Sequence, residues 1–443
     1  MTAGDPRSGA IATVLPGRQI GVIGGGQLGR MFAVAARRLG YRVAVWSDDP
    51  QAPAFAVADL AVRAPYDDAA ALDAFTGAVD VVTVEFENLP QTLLEEIEAR
   101  VPLRPPASAV AATQHREREK RALEALGVPL APWCAVACAT APVGATAPVG
   151  ATAPVGATAP VGAPAPVVAP PDALAALEAA AAHVGRPAIL KTAGFGYDGK
   201  GQVAVPAEGP WPAAAVAMAG REPCVLEAFV DLALELSVVV ARSPDGDMRA
   251  FPVAENHHAR HVLDLTVMPA RVGADVADRA QALALRVVSG LGIVGLACVE
   301  LFLTRGGELW VNEVAPRPHN SGHVTIEACR VDQFEQQVRA VCNLPLGDPA
   351  SVRPGAMANL MGDLWNRGEP DWVAALAVPG VRLHLYGKHT ARPGRKMGHL
   401  SAVADDPDTA AALVLQARAA STPAAAGPEA ANPHRDPDAR PGA

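Results

Sequence analysis

A chain of 443 residues, half of them hydrophobic, is long enough for roughly two to four domains, and 46 acidic against 37 basic side chains give it a formal charge of -9. No Lys/Arg run offsets that charge, which excludes a nucleic-acid partner and leaves anionic small molecules to be held by local cations. No apolar run approaches the roughly 20 residues of a membrane span and the start lacks a signal-like core, so a cytoplasmic protein without a membrane partner is expected.

In chain order, the segment before Leu15 reads as disordered, and Gln19–Ile23 as a buried strand. A glycine turn and a helix with Leu28, Met31, Phe32 and Ala35 at helical spacing follow, then a strand Arg42–Trp46 ending at Ser47-Asp48-Asp49. This βαβ unit carries G-x-G-x-x-G at Gly24, Gly26 and Gly29, the dinucleotide fingerprint. Nothing else in the chain reads as a hydride-transfer site, so an oxidoreductase is set aside. Val79–Val84 is a further parallel-type strand ending at Glu85, and ligands collect beyond the carboxyl ends of such strands, where Glu85 and the turn Gly26-Gln27-Leu28 lie. Thr113–Leu126 is expected to be one helix carrying Arg116 and Lys120.

From Ala141 to Gly162 the unit Ala-Pro-Val-Gly-Ala-Thr repeats, and a proline in each unit forbids helix. A disordered insertion is expected up to about Pro171, between a strand at Trp133–Val136 and a helix at Asp172–His183; docking of a proline-binding module is the other reading. Among the six cysteines only Cys134 and Cys138 lie close, without the second ligand pair of a zinc site, so free thiols are expected.

Ala188–Lys191 reads as a strand ending in a lysine, before the loop Gly194-Phe195-Gly196-Tyr197-Asp198-Gly199-Lys200-Gly201-Gln202. Its four glycines let backbone amides face a phosphate, and Lys191 supplies a point charge. Further on, Cys298–Leu303 and Asn312-Glu313 flank the turn Thr304–Glu308, a hairpin that brings Glu300 and Asn312-Glu313 to one spot. Hard oxygen donors on rigid strands suit Mg²⁺ carried on a nucleotide polyphosphate. Arg317, His319, Asn320 and His323 then crowd the loop Pro316–His323 with donors suited to an anion. The final 25 residues, from Ala419, read as a disordered tail.

Five segments together resemble the ATP-grasp superfamily and, within it, the 5-(carboxyamino)imidazole ribonucleotide synthetase family of purine biosynthesis. They are Gly24-Gly25-Gly26-Gln27-Leu28-Gly29-Arg30-Met31, Glu85-Phe86-Glu87-Asn88, Gly196–Gln202, Pro316–His323 and Arg392–His399, and the resemblance runs from about Gln19 to about Ala404. It implies an α/β and α+β architecture, an ATP-grasp fold with an N-terminal Rossmann-like (pre-ATP-grasp) domain and a small C-terminal β-rich domain. The expected limits are a disordered 1–17, a Rossmann-like 18–112, an ATP-grasp 113–343 interrupted by the insertion at 138–171, a C-terminal domain 344–418 and a tail 419–443.

The resemblance further implies carboxylation of 5-aminoimidazole ribonucleotide by bicarbonate and ATP through carboxyphosphate, with Mg²⁺ or Mn²⁺, in a homodimer. ATP would be held by Arg116, Lys120, Lys191, the loop Gly196 to Gln202, the strand end Glu227-Ala228-Phe229-Val230, Glu235, His258, Asn312 and Glu313. The ribonucleotide and bicarbonate would be held by Gly26, Gln27, Leu28, Glu85, Tyr197, Asp198, Arg317, His319, Asn320 and Ser321, with Lys388 and Arg395 on the ribonucleotide phosphate. Glu300 and Glu313 would hold the metal, and Arg317, Lys191 and Glu313 would carry the chemistry. The alternative is another ATP-grasp ligase, such as a formate-dependent glycinamide ribonucleotide transformylase.

Overall fold

The computed structural model describes residues 12–138, 171–194 and 201–423. The repeat and the loop residues Gly196, Tyr197, Asp198, Gly199 and Lys200 lie outside the described residues.

Strands β1 (Gln19–Ile23), β2 (Arg42–Ser47), β3 (Leu60–Arg63) and β4 (Val81–Val84) form a parallel sheet in the order β3-β2-β1-β4. β1 and β4 are buried along their whole length, as a parallel sheet covered on both faces requires. The helix Gln27–Arg38 buries Leu28, Phe32, Ala35 and Ala36 on one side of this sheet. Phe334, Val338 and Val341 of the distant helix Gln333–Val341 complete the same core, so the two walls of the cleft described below share one packed centre. The expected disorder does not reach Val14: its N–H donates to Cys342 O at 2.9 Å, and the Tyr41 hydroxyl donates to its carbonyl at 2.6 Å.

β5 (Trp133–Val136), β6 (Ala188–Thr192), β7 (Gln202–Val205) and β8 (Cys224–Ala228) form an antiparallel sheet in the order β5-β8-β6-β7. The third sheet has nine strands: β9 (Leu232–Arg242), β10 (Met248–Ala250), β11 (Ala254–Ala259), β12 (Val262–Met268), β13 (Gly295–Thr304), β14 (Leu309–Ala315), β15 (Gly355–Met361), β16 (Val381–Leu385) and β17 (Lys396–Val403). Its order is β14-β13-β9-β11-β12-β15-β17-β16, with β10 on β9. The C-terminal strands therefore continue the sheet that carries the Glu300 hairpin, through antiparallel pairing of β12 with β15. Among the described residues no helix is long and apolar enough to cross a membrane.

The helix expected over Thr113–Leu126 runs from Arg116 to Ala125, and Thr113 instead closes a separate helix, Ala107–Thr113. His115 between them is extended, and the Gln114 side chain donates to Glu87 O at 2.5 Å and Leu89 O at 2.7 Å, bonds to a segment far back in the chain that a periodicity argument cannot see. Past the break, Arg116 lines the cleft and Lys120 is buried against Glu227.

Candidate active site

Where the three sheets meet there is a cavity of about 1020 Å³. The ends of β1, β2 and β4 form one wall, β6, β8, β13 and β14 the floor, and the segment Lys388–Lys396 the rim. On the floor Glu300 meets Asn312-Glu313 across the hairpin, and a register shift between Glu300 and Leu301 makes Glu313 its cross-strand partner. Each is held by a cation: His319 Nε2 lies 2.9 Å from Glu300 Oε1, and Arg116 Nη1 lies 2.8 Å from Glu313 Oε2. Burial alone would raise the Glu313 carboxyl, but Arg116, with Lys191 and His319 nearby, brings it down to about 2. Beside it, the Asn312 Oδ1 atom is buried with no hydrogen-bond partner.

A second charged knot lies across the floor. Glu227 receives Lys191 Nζ at 3.0 Å and Lys120 Nζ at 3.3 Å, all three side chains being buried. Burial works against the Glu227 carboxylate, yet the two ammonium groups hold it at about 2, and the knot retains one net positive charge. The sequence placed Glu227 here for its backbone; its side chain is what binds the two lysines. Glu235 Oε2 lies 2.5 Å from His258 Nδ1, so these two expected nucleotide ligands are a pair with each other. Against burial, Glu235 and the more distant Glu300 raise the His258 pKa. Phe229 at the end of β8 is exposed on the cavity wall, next to Ala228 and Val230. Gln202 sits opposite Lys191 in the β6–β7 pairing, and a Cβ on Gly201 would collide with Thr192 Oγ1.

On the opposite wall the Glu85 carboxylate accepts from the Gly26 amide and from Leu28 N at 3.2 Å. This carboxylate, expected on the ribonucleotide side, lines the cavity and braces the glycine turn, and a Cβ on Gly26 would strike it. Gln27 lines the cavity beside that turn. Arg317 is clasped by Glu87, a residue to which the sequence reading gave no role: Nε donates to Oε2 at 2.5 Å and Nη2 to Oε1 at 3.0 Å. The available signal was the Glu-x-Glu spacing just past a parallel strand. Glu119 was missed as well. It accepts from Val314 N at 2.6 Å, and burial together with neighbouring Glu313 pushes its carboxyl up to about 8, so at neutral pH it adds no charge behind Glu313.

Two of the loop residues, Ser321 and His323, do not line the cavity, whereas Asn320 does. Ser321 is fully buried, its Oγ 2.8 Å from both Ser237 Oγ and His319 Nδ1, so it orients His319. Asn320 exchanges two side-chain amide bonds with Asn359, at 3.1 and 2.9 Å, which fixes its amide and leaves one N–H on Nδ2. His323 is buried behind the floor, stacked on His399 with ring centroids 4.9 Å apart. At the rim Lys388 Nζ donates to Lys396 O at 2.7 Å, and Arg395 Nη1 to Thr390 O at 2.9 Å. Burial and the adjacent Arg392 push the Arg395 pKa down despite Asp49, which marks a cluster that an anion would relieve.

The family model of the ribonucleotide synthetase preATP-grasp domain matches residues 18–114, that of the ATP-grasp domain residues 160–334, and that of the phosphoribosylaminoimidazole carboxylase C-terminal domain residues 355–413. The N5-carboxyaminoimidazole ribonucleotide synthase of Bacillus subtilis is 38% identical over 388 residues, covering 88% of this chain and 92% of its own. That of Brucella melitensis is 37% identical over 389 residues, 88% of this chain and 97% of its own. A crystal structure of an N5-carboxyaminoimidazole ribonucleotide synthetase in complex with ADP superposes with a TM-score of 0.79 at 36% identity, covering 92% of this chain and 97% of the other. A synthase from Aspergillus clavatus in complex with ADP and 5-aminoimidazole ribonucleotide superposes with a TM-score of 0.74 at 27% identity, covering 91% and 98%.

Proposed function

The chain belongs to the N5-carboxyaminoimidazole ribonucleotide synthase family of ADP-forming ATP-grasp ligases in purine biosynthesis, and we propose a division of labour among the residues of its cleft. The facing pair Glu300 and Glu313, with the orphaned Asn312 oxygen beside it, is the observation that carries this reading. Two carboxylates and one carbonyl oxygen suit Mg²⁺ that brings its other ligands on a polyphosphate; Mg²⁺ so held neutralises the phosphates and orients them for in-line transfer. Before loading, His319 and Arg116 stand in as counter-charges. With Mg²⁺ bound, Glu300 and Glu313 would hold the metal and the Arg116 guanidinium would serve the phosphates.

Phosphoryl transfer asks for positioning and neutralisation more than for covalent help. A bicarbonate oxygen attacks the γ-phosphorus, the bond to the β–γ bridging oxygen breaks, and ADP leaves with that electron pair, giving carboxyphosphate. Carboxyphosphate breaks down to CO₂ and phosphate; the amine lone pair of 5-aminoimidazole ribonucleotide takes the carbon and a nitrogen proton is lost. Lys191 and Lys120, tied through Glu227, hold the phosphates, Arg317 holds bicarbonate, and Glu235 with His258 lines the nucleotide side. Lys388 and Arg395 at the rim take the ribonucleotide phosphate, against the wall formed by Gly26 and Gln27. Tyr197 and Asp198, outside the described residues, complete the ribonucleotide side.

A cytoplasmic homodimer and the domain limits 18–112, 113–343 and 344–418 belong to the same reading. The test is ADP release from Mg-ATP with bicarbonate, compared with 5-aminoimidazole ribonucleotide, formate or glycinamide ribonucleotide added. Strong stimulation by 5-aminoimidazole ribonucleotide is expected; stimulation by formate with glycinamide ribonucleotide alone would overturn it.

A further inference from the structure

The clamp on Arg317 joins parts of the chain far apart in sequence. Glu87 follows β4 in the first sheet, and Arg317 lies in the loop after β14. The turn holding Glu87 is itself fixed: Leu89 N donates to Glu87 O at 2.7 Å, as does Gln114 Nε2 at 2.5 Å. A guanidinium has five N–H groups in a rigid plane. Nε and one N–H of Nη2 go to Glu87, and one N–H of Nη1 goes to Pro318 O at 3.0 Å. One N–H then remains on each terminal nitrogen, the fork that takes two oxygens of a planar anion. Both residues line the cavity.

A competing carboxylate is close: Glu313 contributes to the electrostatics of both Glu87 and Arg317. An unclamped Arg317 would be drawn towards it, away from an incoming anion and onto a group proposed for the metal. We propose that Glu87 is a positioning residue that holds Arg317 off Glu313 and presents its two remaining N–H groups to bicarbonate. The inference rests on the reading of Arg317 given above.

The experiment is steady-state kinetics of Glu87→Gln, which keeps size but weakens the clasp, with bicarbonate and Mg-ATP varied separately. A KM for bicarbonate raised about tenfold, the equivalent of ~1.4 kcal/mol, is expected, with KM for ATP changed less than twofold and the thermal midpoint retained. Glu87→Asp, which keeps the charge but shortens the reach, should fall between wild type and Glu87→Gln. If Glu87 were only a strut between domains, the thermal midpoint would drop and bicarbonate affinity would not be singled out; that result, or equal rises in both constants, overturns the proposal. Arg317→Lys separates the two levels. If it raises KM for bicarbonate while Glu87→Gln does not, only the role of Glu87 falls; if it leaves that constant unchanged, the assignment of Arg317 falls and the role of Glu87 with it. In Glu87→Gln/Arg317→Lys the loss should be no larger than in Arg317→Lys alone.

Discussion

His319 and His323 stand four residues apart in one loop and live in opposite electrostatic worlds. His319 faces the cleft, between Glu300 and the Ser321 hydroxyl; burial opposes its charge, but Cys298 and Glu300 beside it outweigh that and lift its pKa to about 10. His323 faces away, its Nδ1 bonded to the Gln333 amide at 3.0 Å and its ring stacked between Phe334 and His399. Burial, reinforced by the nearby charge of His319 and by His384, drives its pKa well below the usual histidine value. The stack continues: His399 lies 4.4 Å from His384, and the Tyr386 hydroxyl sits 3.0 Å from His399 Nδ1. The front of the loop faces a charged floor, and its back is a packing surface that ties the loop to β16 and β17.

The largest expected effect is on the charged floor. Glu313→Gln removes a proposed metal ligand and the partner of Arg116, so ADP formation should fall on the order of 10²-fold or more while the fold persists. Mn²⁺ affinity in the presence of ADP, read by electron paramagnetic resonance, should weaken in the same variant. Near-normal turnover at saturating Mg-ATP would remove Glu313 from the metal site and leave the floor as a set of structural ion pairs.

The neutral back predicts a pH effect of opposite sign to that of the floor. His323 and His399 have folded pKa values below their unfolded value of about 6.5. Their contribution to stability is therefore fully present above about pH 6.5 and is lost as pH falls below it, because only the unfolded chain takes up those protons. His319, raised to about 10, contributes below about pH 6.5 and loses its contribution as pH climbs towards 10. Each titrating group gives a slope of up to roughly 1.4 kcal/mol per pH unit. His399→Phe keeps a ring in the stack, removes a buried Nε2 that has no hydrogen-bond partner, and loses the Tyr386 contact. Chemical denaturation between pH 6.5 and 5 should show a shallower loss of stability in this variant than in the wild type. Identical slopes would mean that the stack is already protonated, or opens, in the native state.

The same contrast shows what the sequence could and could not reveal. The meeting of Glu300 with Asn312-Glu313 was legible because a short antiparallel hairpin nearly fixes its own register, but the shift after Glu300 that pairs it with Glu313 was not. The βαβ start was legible because its strands are apolar between their ends and its glycine turn is local. The roles of Ser321, Asn320 and His323 were not, since a contiguous run of polar residues in a loop gives no sign of which side chains turn inwards. Nor was the break at Gln114-His115, which depends on carbonyls of the distant segment after β4. Glu87 and the side chain of Glu227 were missed for a related reason: each acts on a cation brought to it by tertiary folding, and no local spacing records that.

The smallest effect is expected from a change that should touch neither side of the loop. The repeat Ala141–Gly162 lies between β5 and the helix Pro171–Val184. Val136 on one side of it and Leu177 and Ala180 on the other share a buried cluster, so packing already holds the flanking elements together whatever the length of chain between them. Loop-closure cost changes by only about 0.6 kcal/mol per doubling of length. Excising the repeat should therefore leave the thermal midpoint nearly unchanged and turnover within about twofold. A variant that kept its midpoint but lost most of its activity would overturn this, because the repeat would then have to contribute to the cleft and the charged floor would not be sufficient for turnover.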